Sequence, residues 1–497
     1  DKDQWRMRPD LVTTGRTLFG ARPPKGQEMG DHYFGTIKPR VAAFMRDLDE
    51  ELWKLGIYAK TEHNEAAPAQ HELAPVFTTT NTAADHNQLT MEIMKKVADR
   101  HGLTCLLHEK PFAGVNGSGK HNNWSLSTNY GKNLFKPGKK PQDNRVFLVS
   151  LCAVLEAVDR SQDLLRIVSA SAGNDHRLGA AEAPPAIISV FLGDELTEIL
   201  DAVERGEHGE NKKTETVVTG VEVLPDFKKD TTDRNRTSPI AFTGNKFEFR
   251  MLGSSFSIAD INTVINTAVA DVFDRLADRL EACSDVDAEV DKWMSETITA
   301  HKRIVFNGNN YNQAWIDEAH RRGLYELKTT ADAVPLFVSE KNVELFTKHK
   351  IFTKSEMASR CEIMLDSYCK VLHIEALTML DMSRKEITPA VISYTNEVAE
   401  SVKLRKDIGI LSEDDAALKL CKRLAKLTDN LCAKTKELDS AVVGLDHTSS
   451  SLEASSYCRD ELVPAMNSLR AVADELETIV AEKHWPYPTY SELLFNV

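Results

Sequence analysis

The chain has no CxxC pair, no polybasic run, no internal repeat and no apolar stretch long enough to cross a bilayer. Its eight cysteines, Cys105, Cys152, Cys283, Cys361, Cys369, Cys421, Cys432 and Cys458, are scattered. That pattern argues against a disulfide framework or a thiolate metal site. It favours reduced core thiols in a cytosol-like compartment, with an organelle stroma fitting equally well. A formal charge of -14 argues against a nucleic-acid partner or an anionic membrane surface. The most apolar segment, residues 147–158, is interrupted by Glu156 and falls short of the roughly 20 residues that a spanning helix needs.

Glycine becomes scarce beyond about residue 285, and there the chain changes character. Before that point, β-like runs such as residues 187–191 and 246–250 alternate with helical patterns such as residues 85–101. Leu89, Ile93, Met94 and Val97 form an apolar stripe in the latter. Residues 264–283 lead up to the boundary, and long helical patterns over 356–382, 388–404, 414–438 and 449–482 follow it. Thr388 before Pro389 predicts a helix start, and Gly409 and the run 448–451 predict turns. The spacing of Leu418, Leu424, Leu427 and Leu431 suits either a coiled coil or antiparallel bundle packing. The expectation is a mixed sheet-and-helix domain over residues 1–285 and a helical region over 286–497. A chain of 497 residues is ample for both.

Three segments carry chemistry. Residues 116–125, NGSGKHNNWS, form a glycine-loosened loop that delivers His121 and the amides of Asn116 and Asn123. Gly117 and Gly119 there permit positive φ and close backbone approach. Residues 64–73 hold Glu65 and Glu72 around a segment that proline and small residues bend. Residues 246–250 alternate, placing Lys246, Glu248 and Arg250 on one strand face and Phe247 and Phe249 on the other. Singly, these are a turn and a solvated sheet face. Together, Glu65, Glu72, His121 and Glu248 make an oxygen-rich donor set suited to Mg2+ or Mn2+ rather than to structural zinc. Arginine forks suit phosphoryl oxygens, and metal with arginines points to phosphoryl transfer. His63, His71, His108 and His176 are expected to be structural or supporting groups, and residues 307–312 a surface turn.

The ordered set Glu-x6-Glu, NGSGKH, Asn-x-x-Arg followed by EAP, then RNR and E-x-R resembles the catalytic domain of the glutamine synthetases. The longer wording KPFAGVNGSGKHNNWSL, AGNDHRLGAAEAPPAIISVFLG and DRNRTSPIAFTGNKFEFR is similar to the type III branch, densely over about residues 1–340. The resemblance implies an α+β fold, with a curved antiparallel sheet and helices followed by a mostly helical C-terminal region. It also implies ATP-dependent ligation of ammonia to glutamate through a γ-glutamyl phosphate.

By the same resemblance, Glu65 and Glu72 match ligands of the metal nearer glutamate, and His121 and Glu248 match ligands of the metal that carries the ATP phosphates. Asn116 and Gly117 match the loop that holds the amino acid, and Asn123 and Ser125 lie near the nucleotide. Arg177 matches a carboxylate-binding arginine, Arg236 a phosphate-binding one, and Arg250 the arginine beside the transferred phosphoryl group. Glu182 matches a flap carboxylate, the candidate base for ammonium. The resemblance further implies a homo-oligomer, a dodecamer of two hexameric rings.

Two departures stand beside it. An E-x-E strand that the family supplies just upstream has no counterpart in the first thirty residues, and the chain starts at Asp1 without methionine. A fragment lacking an upstream β-rich part is therefore expected. The position five after Arg236, often arginine in relatives, is Ala241, with Lys246 or Lys120 as substitutes. A ligase using another amine and a non-catalytic scaffold remain as alternatives. A phosphagen kinase is disfavoured by the metal-binding set.

Overall fold

The computed structural model describes residues 1–179, 183–206, 216–217, 227–228 and 237–496, and its backbone gathers into two units, residues 1–118 with 362–497 and residues 119–361. In the first unit, strands β1 (Ala59–Asn64) and β2 (His71–Pro75) pair antiparallel, with Asn64 opposite His71, His63 opposite Glu72 and Glu62 opposite Leu73. Helices Pro39–Trp53 and Thr80–Arg100 pack together through Leu48, Leu52, Ile57 and Val97, and Leu73 of β2 joins them from the strand side. Burying each such side chain contributes about 1.5–3 kcal/mol.

The C-terminal part of this unit is helical, as its periodicity predicts. Thr388 does not start a helix, however. Helix Lys354–Met382 continues through a π turn, Ser383–Ile387, into Thr388–Asp407, and Thr388 itself is helical at φ -60, ψ -47. Proline lacks an N–H and its ring crowds the carbonyl four residues back, so a widened turn just upstream of Pro389 lets the helix pass through it. Pro464 follows a second π turn, Cys458–Leu462, in the same way. Helix Ala416–Leu445 buries Leu424, Leu427, Leu431 and Leu438 while packing on Thr388–Asp407 and Val463–Glu477, which settles its leucines as bundle contacts. Gly409 ends a helix at φ 76, and the Ser450 hydroxyl caps the helix Ser451–Tyr457 at the Glu453 N–H, 3.2 Å away.

The second unit holds a four-stranded sheet. Its strands are β3 (Gly119–Trp124), β4 (Val190–Phe191), β7 (Ile240–Phe242) and β8 (Phe247–Gly253), in the order β3-β8-β7-β4. A separate short pair, β5 (Thr216–Val217) and β6 (Phe227–Lys228), lies between them in sequence. The expected antiparallel sheet is mixed, because β4 and β7 run parallel. Parallel pairing needs a long crossover, and the chain between Phe191 and Ile240 is long enough to supply one.

The segment Arg145–Arg160 is this unit's central helix, buried on nearly all sides. Its two interior acids are met by cations. Glu156 accepts from Arg275 at 2.7 Å, and Asp159 accepts from Arg303 at 2.9 Å and faces His301 at 2.7 Å. Among the described residues, no helix is long and apolar enough to cross a membrane.

Residues 307–312 form a turn with Gly308, Asn309 and Asn312 exposed, as expected, but two of its amides face inward. Asn310 is fully buried against Ser189 and Thr237, and Asn307 Oδ1 accepts from the N–H groups of Leu192 and Gly193, both at 3.0 Å, just beyond β4. Amides buried with their partners hold this end of the sheet. All eight cysteines are free. Cys152, Cys361, Cys369 and Cys458 are buried, whereas Cys432 is exposed and so is no core thiol.

Candidate active site

Strand register builds the first cluster. His63 and Glu72 face each other across the β1–β2 pair, which sets His63 Nε2 at 2.8 Å from Glu72. Glu65, at the start of the turn, lies 3.8 Å from the same nitrogen. One donor atom from each of the three lies within 4.8 Å of the others, the spacing of a metal-binding cluster. Two carboxylates and an imidazole, all partly exposed, suit a hard divalent cation with open positions. His63 was expected to be a supporting group. The turn closes through the Glu65 N–H to the Gln70 carbonyl at 2.9 Å and holds Ala69 at φ 58, an uncommon backbone for a residue with a Cβ.

Of the expected loop 116–125, residues 119–124 are strand β3 of the second unit, and residues 116–118 sit in the same unit as the hairpin, held from two sides. Gln70, between the two carboxylates in sequence, donates from Nε2 to the Gly117 carbonyl at 2.8 Å and to Ser118 Oγ at 3.0 Å. Gln27 donates to Asn116 Oδ1 at 2.6 Å and accepts from the Asn116 N–H at 2.8 Å. The Ser118 N–H donates to the Glu109 carbonyl at 2.8 Å. Neither Gly117 nor Gly119 uses the positive φ open to it, and Gly114, just before the stretch, is left-handed at φ 81.

His71 turns away from the cluster's chemistry. Its Nδ1 meets Asn64 Oδ1 at 3.0 Å, and burial, with the nearby charges of His32 and Lys38, pushes it down to about 4. His108 is likewise buried and pushed down to about 3. Both stay neutral supporting groups, as expected.

In the second unit, β3 and β8 supply the other cluster. Asn122 and Trp124 point inward and bond Asn262 and Asn266 of the helix Ala259–Ala282, so His121, Asn123 and Ser125 occupy the opposite face. The register shifts between Lys120, opposite Leu252, and Asn122, opposite Phe249. His121 therefore faces two residues, Arg250 and Met251. A bulge of this kind bends a strand and re-aims side chains. It brings His121 Nδ1 to 3.1 Å from Glu248, whose other oxygen accepts from Arg250 Nε at 3.0 Å. Burial pushes the Glu248 carboxyl up, but hydrogen bonds and charge from His121 and Arg250 outweigh it and hold the group at about 2.

Arg177 closes the bulge. Its Nη2 donates to the Arg250 carbonyl and its Nη1 to the Met251 carbonyl, each at 3.2 Å, and Nη1 also meets Asn174 Oδ1 at 2.7 Å. Gly119 is glycine for this reason, since a Cβ there would lie 2.0 Å from Arg177 Nη2. Ala241 is buried directly opposite Glu248 on β7, and the Lys120 ammonium donates to the Phe256 carbonyl. Glu182 and Arg236 lie outside the described residues. A third acidic group, Asp271 and Asp274 with His349, is already neutralised by Lys348 and Arg275, so it is an ion-pair network rather than a vacant donor set.

Comparison with known proteins adds a second line. A family model for the glutamine synthetase catalytic domain matches residues 15–171, and one for the glutamine synthetase C-terminal domain matches residues 289–406. The whole chain is 50% identical to a glutamine synthetase of Butyrivibrio fibrisolvens and covers 71% of that protein. It is 41% identical to a type-3 glutamine synthetase of Dictyostelium discoideum and to a glutamine synthetase of Bacteroides fragilis, again over its full length, covering 68% and 70% of them.

Proposed function

Because the chain belongs to the glutamine synthetase family, we propose that it ligates ammonia to L-glutamate with ATP, through a γ-glutamyl phosphate that ammonia then attacks. The observation that carries this reading is the coupling of a metal-type donor set to an amide loop. His63, Glu65 and Glu72 gather on one hairpin, and Gln70 of the same hairpin holds residues 117 and 118. An amino acid whose carboxylate must be phosphorylated needs both charge neutralisation and fixed orientation.

The roles follow from the donors. Glu65 and Glu72, joined by His63, would hold the Mg2+ or Mn2+ nearer glutamate. His121 Nε2, which has no partner among the described residues, and Glu248 would hold the one that carries the ATP phosphates. Bound divalent metal supplies the positive charge that a phosphoryl transfer develops against. Asn116 and Gly117 orient glutamate, Asn123 and Ser125 lie by the nucleotide, and Arg250 and Arg236 meet phosphoryl oxygens. Arg177 is assigned to a glutamate carboxylate, a role in which it exchanges part of its present bonding to strand carbonyls. Glu182 takes the proton from ammonium. We also propose a catalytic region over residues 1–285 and a helical one over 286–497, a division supported by the two family-model matches. A cytoplasmic dodecamer of two hexameric rings completes the reading.

Phosphate release from ATP in the presence of Mg2+ tests it. Release that requires glutamate and ammonium together is the expected result. Release with glutamate and a polyamine but not ammonium would replace ammonia by another amine, and ATP binding without turnover would favour a scaffold.

A further inference from the structure

Asn116 is 7% exposed and, among the described residues, makes two hydrogen bonds, both to Gln27. Gln27 Oε1 accepts from its backbone N–H, and Gln27 Nε2 donates to its Oδ1. An asparagine amide is nearly symmetric in shape, so only its hydrogen bonds decide which end is oxygen and which is nitrogen. Here the Gln27 donor fixes Oδ1, and Nδ2 is left without a hydrogen bond among the described residues. Gln27 is itself held in place. Its carbonyl accepts from the Gly30 N–H at 3.1 Å, and the adjoining Gly26 N–H donates to Glu28 at 2.7 Å. Gln70 fixes the next two residues of the loop through the Gly117 carbonyl and the Ser118 hydroxyl. Residue 117 is therefore held through its backbone alone, whereas residue 116 offers a side-chain donor whose direction a second side chain has chosen.

We infer that Gln27 is a positioning residue of the amide loop: it locks Asn116 with its Nδ2 donor presented, so that the loop accepts an acceptor-bearing group, a carboxylate oxygen of the amino-acid substrate. This rests on the proposed reaction and adds to it the residue that sets the polarity of the amino-acid subsite. Gln27 touches no reacting atom in this role and acts through Asn116.

The test uses the full chain with Gln27→Ala and Gln27→Glu. The glutamate is nearly isosteric and still accepts from the Asn116 N–H, but it sets a carboxylate oxygen against Asn116 Oδ1 and so turns the amide over. KM for glutamate and for ATP, glutamate binding by calorimetry and the unfolding temperature are measured for each form. Gln27→Ala is expected to weaken glutamate binding and raise its KM about tenfold, the effect of losing one or two hydrogen bonds to a presented group. KM for ATP should move less, and Gln27→Glu should be at least as impaired as Gln27→Ala despite its better fit.

A glutamate affinity for Gln27→Glu equal to that of the unmodified chain overturns the inference, because a merely structural glutamine would be replaced well by its isostere. Equal shifts in both KM values also overturn it. If the unmodified chain binds glutamate but releases no phosphate, the reaction falls, while the calorimetric difference between the variants still upholds Gln27. If turnover is intact and the variants are unchanged, Gln27 falls and the reaction stands.

Discussion

Two parts of this molecule hold acidic side chains in opposite ways. On the β1–β2 hairpin, Glu65 and Glu72 gather around His63, and all three are partly exposed. On the bulged β3–β8 pair, Glu248 sits between His121 and Arg250, and the arginine side chain is almost entirely buried. A carboxylate supplied with its own cation is part of the fold and remains in place without a metal. Glu65 and Glu72 bring two carboxylates into one cluster, so a bound cation would add its binding energy to folding there. The difference predicts that mutations which look alike chemically will separate into a class that unfolds the protein and a class that only disarms it.

The largest effect is expected at Glu248. Glu248→Ala removes a hydrogen-bonded partner from the buried Arg250 guanidinium and should destabilise residues 119–361 by about 3 kcal/mol, measured by urea unfolding without metal. A loss below about 1 kcal/mol would mean that the ion pair is as loose as a surface one. Gly119→Ala comes next. Its new methyl would push Arg177 away from the Arg250 and Met251 carbonyls, so about 1–3 kcal/mol should be lost and His121 should lose its aim. Retained stability with weakened ATP binding would show that the bulge steers the site without supporting the sheet.

At the hairpin the sign should change. Glu72→Gln relieves the repulsion between two carboxylates, so the metal-free protein should be no less stable, within about 0.5 kcal/mol. The rise in unfolding temperature that Mn2+ gives to the unmodified chain should shrink sharply. A Glu72→Gln protein that loses stability without metal, or that keeps its full response to Mn2+, would erase the distinction between the two clusters.

How much of this was legible in the sequence depends on the distance over which each feature is decided. The helical stripes from residue 264 onward, the alternation of Lys246 to Arg250 and the turns at Gly409 and Ser450 are fixed by neighbours a few residues away, and they appear where the pattern places them. His63 was set aside because spacing along a chain does not give register. Once Asn64 is known to face His71, His63 must face Glu72. The bulge at His121 depends on a strand more than a hundred residues later, and Gln27 meets Asn116 from 89 residues away. Asn310 looked like a surface turn because amides favour turns, yet a buried amide with partners is equally stable, and composition cannot tell the two apart. Pro389 misled for a related reason, since a proline ends a helix unless a π turn upstream makes room.

The smallest effect sharpens the same comparison through pH. In residues 119–361, burial raises Asp271, but hydrogen bonds from Lys348, His349 and Arg275 outweigh it and hold the carboxyl below its usual 3.8. In the other unit, burial lifts Glu477 from its usual 4.5 to about 7, with the Ala21 N–H and the Arg8 charge pulling only partly the other way. The signs are therefore opposite. The folded protein binds the Glu477 proton more tightly than the unfolded chain does, so this group's contribution is complete below pH 4.5 and is lost as pH rises toward 7. Asp271 behaves in reverse, contributing above about pH 3.8 and losing that contribution on further acidification. Glu477→Gln, which can still accept from the Ala21 N–H but cannot ionise, should match the unmodified chain below pH 4.5 and exceed its unfolding temperature above pH 7. Asp271→Asn should be weaker than the unmodified chain near neutrality, with the gap closing as the solution is acidified. Parallel unfolding curves for all three proteins between about pH 2 and 8 would mean that neither acid differs between folded and unfolded chains, and that cationic partners do not set the pH response of either unit.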